Sequence, residues 1–155
     1  MSSSIASLNA LGGSGDFGAG PPSRAYLSAA KALMPGAGVL AAHSPACGEA
    51  HTLLAGFVVE GCLKAVLAHS SYDERKLRSG GHKHDLVALW KLAASASQFL
   101  PGVVPDWVDQ LNVFHNAPYV LRYRTRVNAY SLPKIGDIQA GVETLLNEVC
   151  LHVHA

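Results

Sequence analysis

The residues with the clearest chemical potential lie in two short basic runs. The first holds Arg75, Lys76, Arg78, His82, Lys83 and His84, and the second holds Arg122, Arg124 and Arg126. An imidazole titrates near neutral pH and can take and return a proton, while a guanidinium offers paired N–H donors that match a phosphate. Cleaving RNA without a metal needs a base for the 2′-hydroxyl, an acid for the leaving oxygen and a cation for the charge that develops on phosphorus. Arg78 and His84 are separated by five residues and Arg75 and His82 by six. His84 or His82 could therefore serve as base and Arg78 as clamp. The competing reading is a solvated loop in which His84 or Asp85 caps the helix that follows.

The second run depends on its backbone. In an extended strand, Arg122, Arg124 and Arg126 point to one side and can follow a phosphate backbone while Tyr119, Tyr123 or Tyr130 stacks on bases; in a helix they splay apart. The structural alternative pairs Arg122 with a core acid such as Glu60 and leaves the others solvated. Seven of the twelve Lys and Arg residues fall in the two runs while the net charge is only +1. Any affinity for nucleic acid, with Arg75, Lys83, Arg122, Tyr123, Arg124 and Arg126 as its candidate contacts, must then be local.

Metal binding has a weaker basis. The pairs His82/His84 and His152/His154 could supply four imidazoles, but alternate residues on a helix point apart and no Cys or carboxylate lies at zinc-site spacing. No metal and no cofactor is expected. His43, His51, His69 and His115 read as packed or capping residues, and Cys47, Cys62 and Cys150 as reduced thiols, too scattered for a disulfide framework.

These groups need elements to position them. With 49% hydrophobic and 15% charged residues among 155, the chain can build one sizeable core. Residues 44–70 read as a long helix, with Ser44 as N-cap and Pro45 in the first turn, apolar almost all round and hence central. Glu60 and Lys64 interrupt its middle, arguing against a membrane span, and form an acid-first i, i+4 pair.

Residues 1–20, rich in Ser and Gly, read as a disordered tail and lack the pattern of a signal peptide. A first helix begins near Ser23 and stops at Pro35-Gly36. Beyond the polar run, Asp85 opens a helix ended by Pro101-Gly102, another runs from Asp106 through Phe114, and the last starts near Asp137. The pattern does not decide the helix status of residues 119–133. The expectation is an all-α antiparallel bundle of four or five helices over residues 21–155, in the cytoplasm, with no membrane contact.

Three segments together carry a family likeness: F-V-V-E-G-C-L-K-A-V-L-A at 57–68, G-H-K-H-D-L-V-A-L at 81–89 and L-R-Y-R at 121–124. In order and separation they resemble the HEPN domain superfamily of prokaryotic helical-bundle proteins. The resemblance implies an up-and-down bundle that commonly forms homodimers, is often encoded beside a minimal nucleotidyltransferase and recurs in toxin–antitoxin and defence systems. Many members are metal-independent endoribonucleases with an R-x(4–6)-H motif late in the bundle. Here Val127, Asn128, Ala129 and Tyr130 stand where that histidine is expected. The sequence thus points to a catalytically degenerate HEPN-like module that binds RNA, a nucleotide or a partner protein. The alternatives are a metal-independent endoribonuclease using Arg78 and His84, or a structural dimer partner of a nucleotidyltransferase.

Overall fold

A computed structural model describes residues 20–44, 46–80, 82–117, 119, 121–122 and 130–153. All the regular structure among them is helical: α1 Pro22–Ala42, α2 Gly48–His69, α3 Glu74–Ser79, α4 Leu86–Ala96, α5 Asp106–His115 and α6 Ile135–Val153. The tail expected over residues 1–20 lies, except for Gly20, outside the described residues.

The helix expected to be central is central. α2 packs against α1, α4, α5 and α6, and Val58, Val59, Cys62, Leu63 and Leu67 on its different faces are all fully buried. A helix that is apolar all round can satisfy itself only by being surrounded. By length and composition α1 and α2 could each cross a membrane, but α2 uses its apolar surface within this core. Burial pushes the Cys62 thiol up to about 12, which makes it an inert core group.

Several helix ends differ from expectation. α1 does not stop at Pro35-Gly36 but continues to Ala42 with Pro35 inside it. A proline removes one backbone hydrogen bond and costs a helix interior about 3 kcal/mol. Packing beyond it opposes that cost: Gly36 sits against Leu54 of α2, Gly38 lies near Gln139 of α6, and Ala37 is fully buried. α2 starts at Gly48, not after Ser44, which lies in a turn with its N–H donating to the Ala41 carbonyl. Pro45 is outside the described residues.

The polar run contains α3, opened by Asp73, whose side chain accepts from the Arg75 N–H. Only Leu77 of its six residues is buried, so no apolar period marks it. α4 ends at Ala96, short of Pro101-Gly102. α6 begins at Ile135, two residues before Asp137.

At one corner of the core, both tryptophans of the chain meet edge to face, with Trp90 of α4 and Trp107 of α5 at 6.1 Å between ring centroids. The Trp90 indole donates to the Pro101 carbonyl at 3.0 Å. Trp107 lies so close to Gly141 of α6 that a Cβ there would stand 2.7 Å from the indole nitrogen.

Candidate functional site

One face of α2 presents Gly56, Phe57, Glu60 and Lys64, residues three and four apart. Two loops bring partners to them. His84 precedes the N-cap of α4, where Asp85 accepts from the Ala88 N–H at 3.0 Å, the cap expected from sequence. Asn112 of α5 clasps this corner, donating to Asp85 at 3.2 Å and accepting from the Leu86 N–H at 2.7 Å. The clasp sets the start of α4 against α5, whose last residue is His115.

Glu60 lies at the centre of the result. One of its oxygens accepts from Lys64 at 2.7 Å. The other meets both His84 Nδ1 at 2.9 Å and His115 Nε2 at 2.7 Å. The side chains are largely enclosed: Glu60 is 12% exposed, Lys64 7%, His115 1% and His84 23%. The pair Glu60–Lys64 expected from the i, i+4 spacing is therefore formed, and it is buried.

Burial works to raise the Glu60 pKa, but hydrogen bonds from His115, His84 and Lys64 outweigh it and hold the carboxyl at about 2. As an ionised carboxylate it only accepts, so both imidazoles must donate to it. Burial lowers the His115 pKa against the pull of Glu60, and the nearby Arg122 and His84 lower it further. His115 is thus neutral at pH 7, with the proton on Nε2. Its Nδ1 is buried without a hydrogen-bond partner among the described residues and faces Gly56, where a Cβ would stand 2.8 Å from the ring's Cγ. Only glycine leaves room for the imidazole.

Arg122 does not pair with Glu60. Its guanidinium stacks on Phe57 at 4.7 Å and on Tyr119 at 5.1 Å from the ring centroids. Tyr119 holds a φ of 58° and also meets the His84 ring edge to face at 5.7 Å. Arg122 Nε and Nη2 are buried and make no hydrogen bond among the described residues. Lys64 balances the charge of the Glu60 carboxylate, and Arg122, near enough to act on the neutral His115, adds a positive charge to that side of the cluster.

The donor atoms of Glu60, His84 and His115 lie within 4.8 Å of one another, close enough to consider a metal ion. Two features work against one. A metal on His115 Nε2 would move the proton to Nδ1, which has no acceptor among the described residues, whereas metal-bound histidines usually donate from the second nitrogen. The Lys64 ammonium and the Arg122 guanidinium would also repel it. The donor set instead fits a carboxylate that orients two imidazoles beside a site for an anion.

The pair Arg78 and His84 is not assembled. Arg78 is 73% exposed and bridges to Glu74 at 3.5 Å on its own helix, whereas His84 is held by Glu60. The cap expected of His84 or Asp85 is supplied by Asp85. Arg75, His82 and Lys83 are exposed. Tyr123, Arg124 and Arg126 lie outside the described residues, as does His154.

His115, read from sequence as packed or capping, belongs to the cluster, together with Gly56 and Phe57. The signal was in the chain: Glu60 and Lys64 on a wholly apolar helix require buried polar partners, and a neutral histidine can be one. No family model, curated protein or solved structure matches the chain, so the case for its function rests on this cluster.

Proposed function

We propose that the chain is a HEPN-like antiparallel helical bundle of the cytoplasm that binds the phosphates of single-stranded RNA through the Arg122 cluster. The observation that carries this reading is Arg122: a guanidinium with two buried N–H-bearing nitrogens that have no hydrogen-bond partner among the described residues, near the His115 imidazole and stacked on the Tyr119 ring that meets His84. Unmade donors of a buried cation are costly, and a phosphate oxygen satisfies them with charge-assisted hydrogen bonds. The exposed Arg75, Lys76 and Lys83 extend the same positive character, and Tyr119 offers an aromatic ring beside it. In the setting implied by the resemblance, the module works as a homodimer in a toxin–antitoxin or defence system, with a nucleotidyltransferase as its protein partner.

Fluorescence anisotropy with a labelled oligoribonucleotide, repeated across salt concentrations, tests it. The wild type should bind with a salt-dependent affinity. Arg122→Ala should weaken binding and flatten the slope by about 0.7, the contribution of one phosphate contact to a single strand. Arg122→Lys should recover charge but not the paired donors. Unchanged affinity and slope in Arg122→Ala would remove the basis of the reading.

One observation favours a second reading, a metal-independent endoribonuclease. Glu60 fixes His84 through Nδ1, leaving Nε2 of this half-buried ring without a hydrogen-bond partner among the described residues and able to act as a base. Arg122, not Arg78, is then the clamp. RNA cleavage in excess EDTA that His84→Ala abolishes while Arg78→Ala leaves it intact supports this reading; no cleavage by the wild type rejects it.

A further inference from the structure

A second concavity lies between α3 and α4, apart from the Glu60 cluster. It has a volume of about 140 Å³, below the roughly 300–1,000 Å³ of pockets that enclose drug-sized ligands, so it suits a single ring. Its walls are apolar: Leu77 and Leu89 are buried core residues, Leu92 and Tyr72 are half-buried, and Tyr72 contributes an aromatic ring. Its remaining side chains are Lys76, His82 and Lys83, and among the described residues no acidic one lines it. Neither lysine has an ion-pair partner among the described residues. An apolar slot with an uncompensated cationic rim complements a ligand that joins a flat uncharged ring to an anion.

The chain connects this slot to the Glu60 cluster. Lys83 lines the slot, while the next residue, His84, is bonded to Glu60. Consecutive residues therefore serve the two places. The Gly80 backbone closes the same wall, held by its N–H to the Lys76 carbonyl at 2.9 Å.

We infer that the slot between α3 and α4 receives the base of one nucleotide, with Lys76 and Lys83 on its phosphate. This rests on the proposed phosphate binding at Arg122 and makes the preferred ligand an unpaired, base-bearing nucleotide. The nucleotide is either a unit of an RNA strand that runs on to Arg122 or a free nucleoside monophosphate.

The test compares an octaribonucleotide with an abasic sugar–phosphate octamer of the same charge, by anisotropy at fixed salt. The wild type should bind the base-bearing strand about 5- to 150-fold more tightly, the range expected for one stacked base. Leu92→Phe, which fills the slot, should reduce that ratio towards one while leaving abasic affinity unchanged. Lys76→Ala/Lys83→Ala, both exposed positions, should weaken binding of both strands without unfolding the protein. Arg122→Ala should weaken both while keeping the ratio.

Equal binding of the two strands by the wild type overturns the base slot but leaves phosphate binding at Arg122 standing. Failure to bind either strand removes phosphate binding, and the slot with it. Adenosine monophosphate alone separates the two sources. Amide shifts at His82 and Lys83 that Leu92→Phe abolishes support a free nucleotide as occupant; their absence beside a retained strand preference supports the strand.

Discussion

Replacing Glu60 by Gln tests the centre of the site, because it keeps the shape of the side chain and removes its charge. Glu60 receives three hydrogen bonds at 2.7 to 2.9 Å, one from an ammonium that is itself 7% exposed. Breaking one member of a buried ion pair typically costs about 3–5 kcal/mol, because the remaining charge stays in a poorly solvated place. The titration leads to a similar figure. A carboxyl that ionises at about 2 in the fold and at 4.5 when unperturbed holds roughly 3 kcal/mol of stability at neutral pH. For a chain of this length, about 3 kcal/mol lowers the melting temperature by roughly 6–12 °C.

The sign of the pH dependence follows from the lowered pKa. The contribution of Glu60 is complete above pH 4.5 and is lost as the pH falls through that value towards 2. Urea unfolding of wild type and Glu60→Gln at a series of pH values is the assay. The difference should be about 3 kcal/mol at pH 7 with unchanged denaturant slope, and it should narrow steadily below pH 4.5. A difference under about 0.5 kcal/mol at pH 7 would refute the reasoning, because an exposed i, i+4 helix pair is worth about that much. A difference that persists undiminished into acid would mean that the amide disturbs packing, not charge.

Gly56→Ala should destabilise by about 1–3 kcal/mol in thermal melts, although alanine favours a helix over glycine, because the new Cβ overlaps the His115 ring. Asp85→Ala should cost about 1–2 kcal/mol in the same melts, through loss of the Ala88 cap and of the acceptor for Asn112, with Asp85→Asn recovering most of it. In the wild type, His115 adds an acid-sensitive limb of its own: its folded pKa lies below 6.5, so stability should begin to fall once the pH drops under that value.

Sequence carries local and periodic information well, and the parts of this molecule that it foretold are of that kind. Asp85 precedes an apolar run and its side chain reaches only three residues ahead; Lys64 lies one turn from Glu60; α2 is apolar on every face and lies in the middle. The helix through Pro35 was not legible, because the packing that opposes the proline comes from α2 and α6, far along the chain. α3 was hidden because a helix with one buried side chain has no period to show. His84 and His115 reach Glu60 across 24 and 55 positions, and nothing in their spacing announces a common oxygen. Arg122 was weighed as an ion-pair partner for Glu60, yet Phe57 and Tyr119 take its guanidinium face-on while Lys64 and the two histidines occupy the carboxylate.

The meeting of Trp90 with Trp107 at Gly141 gives the protein a built-in optical reporter. These are its only two indoles, so all its tryptophan emission arises at the joint of α4, α5 and α6. Far-ultraviolet circular dichroism instead averages over every helix. If the molecule unfolds in one step, the two signals trace the same curve. If the joint opens ahead of the rest, emission changes first, and the local order of loosening can be followed with no label attached.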